Sequence, residues 1–260
     1  MSSLAEGGIG ALASGDPLPR GELAGPAMDC DGLDCPAAVT LDGVAFRFGR
    51  REILDGVDLR VRAGESVAVM GTSGSGKSTL LSLVVGLLRP VSGSVQVLDA
   101  DLAGLRASRL ARFRRRHLGV VFQSGELLPA LTAVENTAMP LLLDGASWPV
   151  ASRTATELLD ELGIAQDSQS IPAADLSGGE RQRTALARAI VTGAELILAD
   201  EPTGALDGAA RDNVADLLFG LPLDRGCALL VVTHDPAIAA RAGRVLALAG
   251  GALRPVALAQ

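Results

Sequence analysis

The stretch GTSGSGKST, Gly71 to Thr79, follows the apolar run SVAVM and opens the helix-forming run KSTLLSLVVGLL. Few local features restrict a fold as much. Its glycines let the backbone wrap closely around an anion and offer successive N–H groups to it. A helix N-terminus directly behind the loop adds aligned backbone dipoles that favour negative charge. Lys77 supplies a point charge for phosphate oxygens, and the Ser78 hydroxyl can ligate Mg2+. We assign the whole loop to phosphate binding: Gly71, Ser73, Gly74, Ser75, Gly76, Lys77, Ser78 and Thr79. A plain glycine-rich turn with a surface lysine would leave the strand before it and the helix after it as coincidence. Pro90 is expected to close that helix.

The texture beyond the loop agrees with this unit. Short β-like runs (AVTLDGVAFRF, VDLRV, SVQVL, GVVFQ, LILAD, ALLVVT) alternate with helical stretches such as RTATELLDELG and GAARDNVADLLFG. That alternation implies a largely parallel sheet covered on both faces, and the antiparallel-looking start implies a small β layer at the front. A chain of 260 residues with 48% apolar residues can bury one compact core. Residues 1 to about 37 are rich in Gly, Ala, Ser, Pro and Asp without periodicity and are expected to form a disordered tail. One domain over 38–253 follows, then a short tail over 254–260.

Composition narrows the function classes. The run LLSLVVGLL is far shorter than the roughly 20 residues of a membrane span, and no basic start with an apolar block and cleavage site opens the chain, so a cytoplasmic protein is expected. A net charge of −7 argues against non-specific nucleic-acid binding. Cys30, Cys35 and Cys227 cannot build a disulfide framework and read as reduced thiols. With His117 and His234 as the only histidines, a zinc site lacks ligands.

Three further stretches carry chemistry. LILADEPTGALD begins as an apolar strand and ends in two adjacent acids, which places Asp200 and Glu201 at the carboxyl edge of a parallel sheet, where ligands bind. Asp200 suits a Mg2+-holding carboxylate, and Glu201 suits orienting or deprotonating a water that attacks a terminal phosphate. ALLVVTHD delivers His234 to the same edge; taken alone, a histidine at a strand end is more often structural. LSGGERQR sets Gly178 and Gly179 at the start of a helix with Glu180 in its first turn, a second helix N-terminus prepared for an anion.

GTSGSGKST, VFQ, LSGGERQR, LILADEPTGALD and VVTHD, in that order, resemble the motif set of the ATP-binding cassette (ABC) ATPases, over roughly Val39 to Leu253. LSGGERQR is specific to them and sets aside a simple GTPase or nucleoside kinase. The resemblance implies a P-loop NTPase fold of the ABC ATPase kind: a RecA-like parallel-sheet core, an N-terminal antiparallel β layer, and a helical subdomain over about 124–185 that carries the signature. It implies that Gln123 senses Mg2+ and the attacking water, that Ser177 and Gly179 contact the γ-phosphate with Gly178 in the same cofactor-binding stretch, and that Asp207 lies in a loop between subunits. It also makes His234 a γ-phosphate switch. Phe48 stands where this family stacks an aromatic on adenine; tyrosine is commoner there, and phenylalanine keeps the stacking face.

The same resemblance explains two anion sites in one chain. In this family each ATP is held between the phosphate loop of one subunit and the signature of the other, so a head-to-tail homodimer is implied, with ATP and Mg2+ as cofactors. The stretch FRRRHLGVVFQSGELLPALTAVENTAMPLLLDG is most similar to the lipoprotein-releasing and macrolide-export subgroup, with Val120 in place of the usual phenylalanine and Ser124-Gly125 after the glutamine. That subgroup works beneath a separate integral membrane permease, peripheral on the inner face of the membrane. A non-transport cassette ATPase that regulates a membrane partner, of the division-associated type, stays open. Arg112, Arg114, Arg115 and Arg116 read either as a solvated face or as a contact for a membrane protein or lipid headgroups. Pro129 and Pro140 are expected to break QSGELLPALTAVENTAMPLLL, leaving Leu127, Leu128 and Leu131 as a docking surface with Glu135 nearby.

Overall fold

A computed structural model describes residues 36–256. Cys30, Cys35 and the proposed N-terminal tail up to residue 35 lie outside the described residues. The front layer starts with two long strands, β1 (Ala37–Phe48) and β2 (Arg51–Arg62), paired antiparallel around the turn at Gly49 and Arg50. β3 (Ser66–Met70) is short and apolar and leads into the phosphate loop and α1 (Lys77–Val84). β4 (Ser92–Val97) and β5 (Ala100–Asp101) complete the antiparallel layer, in the order β2-β1-β4-β5.

α1 stops earlier than its composition suggests. Gly86 adopts φ +75, and its N–H bonds Leu83 O while the N–H of Leu87 reaches back to Ser82 O. That left-handed residue with paired carbonyl capping ends the helix at Val84, so Gly86 and not Pro90 closes it. A β-carbon at 86 would also sit 3.1 Å from Leu110 Cδ1.

α2 (Ala107–His117) is basic and rides on the core through the half-buried Leu110 and Phe113. β6 (Leu118–Phe122) follows directly. The helical part then comprises α3 (Ala133–Leu143), α4 (Trp148–Glu161), the single turn α5 (Gln166–Gln169) and α6 (Gly178–Ile190). α3 runs through Pro140, contrary to the expected break there. The proline stands one turn from the helix end, and the Thr132–Glu135 capping box fixes the other end. Arg115 and Arg116 both reach Asp144 at the C-cap of α3 (3.3 and 2.9 Å), so those two arginines tie α2 to α3. Arg112 is exposed.

β7 (Leu196–Asp200), α7 (Gly208–Arg225), β8 (Ala228–Thr233), α8 (Pro236–Ala239), β9 (Arg244–Ala249) and β10 (Ala252–Pro255) complete the chain. The second sheet has the order β10-β9-β3-β8-β7-β6, with β10 antiparallel and the other neighbours parallel. Every residue of β8 is buried, which is why its sequence reads as an unbroken apolar run rather than an alternation. Truncating a fully buried member such as Leu230 to alanine costs about 2–5 kcal/mol. No helix among the described residues is long and apolar enough to cross a membrane.

Candidate functional site

Sheet register builds the site. Met70 pairs with Thr233, Asp200 with both Val232 and Phe122, so the carboxyl ends of β3, β8, β7 and β6 finish side by side. The residues that follow those ends are the phosphate loop, His234, Glu201 and Gln123. They line one cavity of about 1250 Å3, together with Phe48 at its outer edge. Gly71, Ser73, Gly74, Gly76, Ser78, Thr79 and Asp200 line it as well.

The phosphate loop is held from inside. Lys77, nearly buried, donates from Nζ to Gly71 O (2.7 Å) and Thr72 O (3.2 Å). A β-carbon at 71 would lie 2.9 Å from Leu248 O and 2.5 Å from Ser75 Oγ, so only glycine fits where the loop leaves β3. Ser75 does not line the cavity: its N–H closes a turn onto Thr72 O, and its hydroxyl is buried with no hydrogen-bond partner. Gly76, at φ +105, is the N-cap of α1. The cradle therefore presents an ammonium, two hydroxyls (Ser78, Thr79) and a helix N-terminus to one volume, a donor set that fits a polyphosphate.

Glu201 is the most connected side chain of the site. Its Oε2 accepts from Thr233 Oγ1 (3.0 Å) and from the His234 backbone N–H (3.2 Å). Its Oε1 lies 2.9 Å from His234 Nδ1 and 3.5 Å from Lys77 Nζ. The residue holds φ +47, a left-handed value rare for a non-glycine residue, fixed by backbone bonds from its N–H to Val232 O and from Gly204 N–H to its carbonyl. Burial pushes the Asp200 carboxyl above its ordinary value, against a hydrogen bond from Ser78 that favours the charged form. Asp200 and Ser78 thus form an oxygen pair suited to a hard divalent cation.

Gln123 is exposed beyond β6, over the turn after Glu201: a β-carbon at Gly204 would sit 3.0 Å from its Nε2. The loop that carries it is pinned by α6, where Gln182 Nε2 donates to Phe122 O (2.9 Å) and Arg188 donates to Gly125 O (2.8 Å) and Glu126 O (2.7 Å). Ser177, Gly178, Gly179 and Asp207 do not line the cavity. They gather elsewhere: Ser177 is the N-cap of α6, Asp207 the N-cap of α7, and β-carbons at 178 and 179 would each meet the start of α7, at Leu206 and Ala210, at 3.4 Å. The signature and the phosphate loop thus lie on separate surfaces of the chain.

Several residues of the site escaped the sequence reading. Thr233 holds Glu201, and Arg51, paired across the hairpin from Phe48, lines the cavity beside it. Their signals were faint, a threonine closing an apolar strand and a cation opening the strand after a tight turn. Asn136 is buried with its amide spent on the loop before it: it accepts from Leu128 N–H (2.8 Å) and donates to the carbonyls of Leu128, Leu131 and Thr132. Of the three leucines of that loop, Leu128 is 47% exposed, Leu131 is half-buried, and Leu127, also half-buried, packs against the apolar cluster that includes Leu159, Leu186 and Ile197. Glu135 serves the capping box of α3.

Comparison with known proteins agrees with this geometry. A family model described as ABC transporter matches residues 54–204. The lipoprotein-releasing system ATP-binding protein LolD of Chromohalobacter salexigens is 47% identical over 210 residues, 80% of this chain and 88% of that protein. The ABC transporter ATP-binding protein YbbA of Escherichia coli K12 is 46% identical over 202 residues, 78% of this chain and 88% of that protein. A bacterial ABC transporter cassette solved as a dimer superposes with a TM-score of 0.76 at 33% identity, covering 85% of this chain and all of that one; the same cassette, with the same score and coverage, is known as a post-hydrolysis dimer bound to ADP and Pi. With its phosphate loop, signature and paired acids in these positions, the chain belongs to the ABC transporter family of ATP-binding proteins.

Proposed function

We propose that the chain is the ATP-hydrolysing subunit of a lipoprotein-release or export machine and works as a head-to-tail homodimer beneath a separate integral membrane permease, peripheral on the inner face of the membrane. One observation carries this reading. The phosphate loop, Gln123, Asp200, Glu201 and His234 share a cavity from which Ser177, Gly178, Gly179 and Asp207 are absent, so the second anion surface of each chain is left for the cavity of another. LolD, the relative named for lipoprotein release, favours that cargo class.

The residues then divide the work. Phe48 offers a ring face to adenine, and the loop from Gly71 to Thr79 surrounds the phosphates. Asp200, Ser78 and Gln123 would hold Mg2+, which would supply charge neutralisation for the phosphate groups. Lys77 exchanges its 3.5 Å contact with Glu201 for phosphate oxygens, and this frees the carboxylate to orient a water and take its proton. His234, joined to Glu201 through Nδ1, keeps its other nitrogen for the γ-phosphate. Ser177 and Gly179 of the second chain close the site.

Leu128 and Leu131 form the permease dock, with Leu127 as its support in the core. This loop is stitched to the approach to the signature, since Ala173 N–H bonds Leu131 O (2.8 Å) and Ala174 N–H bonds Pro129 O (3.2 Å). A cytoplasmic helix seated there can thus feel whether the signature is engaged. Purification of the chain from native membranes tests the reading: an integral membrane protein should come with it, and hydrolysis should rise more than linearly with subunit concentration. A chain that hydrolyses ATP as a monomer with no membrane partner would overturn it.

A further inference from the structure

Ser168 belongs to none of the motifs, yet its Oγ donates to Glu180 Oε1 at 2.6 Å. The other oxygen of that carboxylate, Oε2, accepts from Ser177 N–H (2.9 Å) and from Ser177 Oγ (2.6 Å). One carboxylate therefore bridges the single turn α5 to Ser177 of the signature. The neighbour of Ser168 anchors that turn: Gln169 is buried, and its Nε2 donates to Asp160 Oδ1 (2.7 Å) and Ile164 O (3.0 Å) at the end of α4. Hydrogen bonds from Ser168 first and Ser177 second hold the Glu180 carboxyl down at about 2, so it is a permanent anion in the working range.

A permanent anion beside a γ-phosphate contact is a hazard unless it is tethered. A serine hydroxyl has a single proton. When Ser177 turns that proton toward a phosphate, Glu180 keeps only Ser177 N–H and Ser168 as donors. Without Ser168, Oε1 has no donor, and the broad terminal torsion of a glutamate side chain lets the carboxylate swing toward the incoming phosphate, where like charges repel. We propose that Ser168 is a positioning residue for the signature: it moors the Glu180 carboxylate so that Ser177 can engage the γ-phosphate held by the second subunit. The inference rests on the head-to-tail reading above.

The test uses the full chain with Glu201→Gln, which holds the ATP-bound pair together. Three quantities are read for this parent and for Ser168→Ala, Ser168→Cys and Ser168→Thr: the ATP concentration for half-maximal dimerisation by light scattering, the affinity of dilute monomer for a fluorescent ATP analogue, and the unfolding midpoint. Loss of one charge-assisted hydrogen bond should raise the ATP requirement of Ser168→Ala about tenfold. Monomer affinity should stay within about twofold, Ser168→Thr should restore the parent value, and Ser168→Cys, which folds with the same bulk and a weak donor, should fall between. Unchanged dimerisation or an equal loss in monomer affinity would each overturn the proposal. A parent that fails to pair at all sinks the head-to-tail reading itself; a parent that pairs alongside an indistinguishable Ser168→Ala sinks the role of Ser168 alone.

Discussion

The Glu201 carboxylate grips His234 twice, accepting its backbone N–H at 3.2 Å through Oε2 and facing its ring Nδ1 at 2.9 Å through Oε1. The two residues come from the ends of neighbouring strands, and the left-handed backbone of Glu201 turns its side chain toward the histidine and the phosphate loop. In the function proposed above, a group so placed receives a proton and passes on the state of the phosphate.

Glu201→Gln keeps the size of the side chain and removes the base. Hydrolysis should fall by about 10²–10⁴-fold while ATP still binds. Sizing chromatography with ATP should then show a persistent dimer. A monomer with near-normal turnover would remove Glu201 from the mechanism.

Phe48 is 55% exposed at the rim of the cavity and packs edge-on against Phe46, with centroids 4.9 Å apart. The exposed part of the ring is open to a base. Phe48→Ala should weaken nucleotide affinity by about 1–3 kcal/mol, and GTP should compete measurably with ATP because stacking reads no hydrogen-bond pattern. Titration with a fluorescent nucleotide checks both.

Gly71→Ala places a methyl group against Leu248 O and Ser75 Oγ, at 2.9 and 2.5 Å. The loop must shift while the sheet beneath it stays packed. We expect ATP binding to be lost with the circular dichroism spectrum unchanged; normal binding would show that the loop is plastic.

Leu128 and Leu127 separate docking from packing. Leu128→Asp should abolish capture of the permease and leave hydrolysis by the isolated subunit intact. Leu127→Asp puts a charge against the apolar cluster around Leu159 and Leu186 and should lower the unfolding midpoint. Pull-down and ATPase rate are measured on the same variants; capture that survives Leu128→Asp places the dock elsewhere.

Glu180 sets an acid limit on the signature helix. Its folded value, about 2, lies below the ordinary 4.5, so its stabilisation is complete above the ordinary value and is lost as pH falls from about 4.5 toward about 2. Glu180→Gln should flatten the unfolding midpoint across that window. It should also cost about 1 kcal/mol at neutral pH as the capping box weakens. An identical acid profile in the variant would show that other carboxylates set the limit.

Local pattern alone determined the phosphate loop, the run of strands and helices, and the acids at a strand end, because the spacing of glycines, apolar residues and charges along a few residues already fixes backbone shape and the face it buries. The two-layer architecture followed from the same periodicities. The tertiary structure decided what meets what. Lys77 and Glu201 stand side by side only because β3, β8 and β7 are neighbours in the sheet, an order set by crossovers that no short window of sequence contains. The stop of α1 at Gly86 rather than Pro90 depended on one backbone angle. Ser168 and Asn136 carry no motif; their roles arise from hydrogen bonds to groups that folding alone brings within reach. A hydrogen bond needs its partner within about 3 Å, and that distance is a property of the packed chain, not of the residue type.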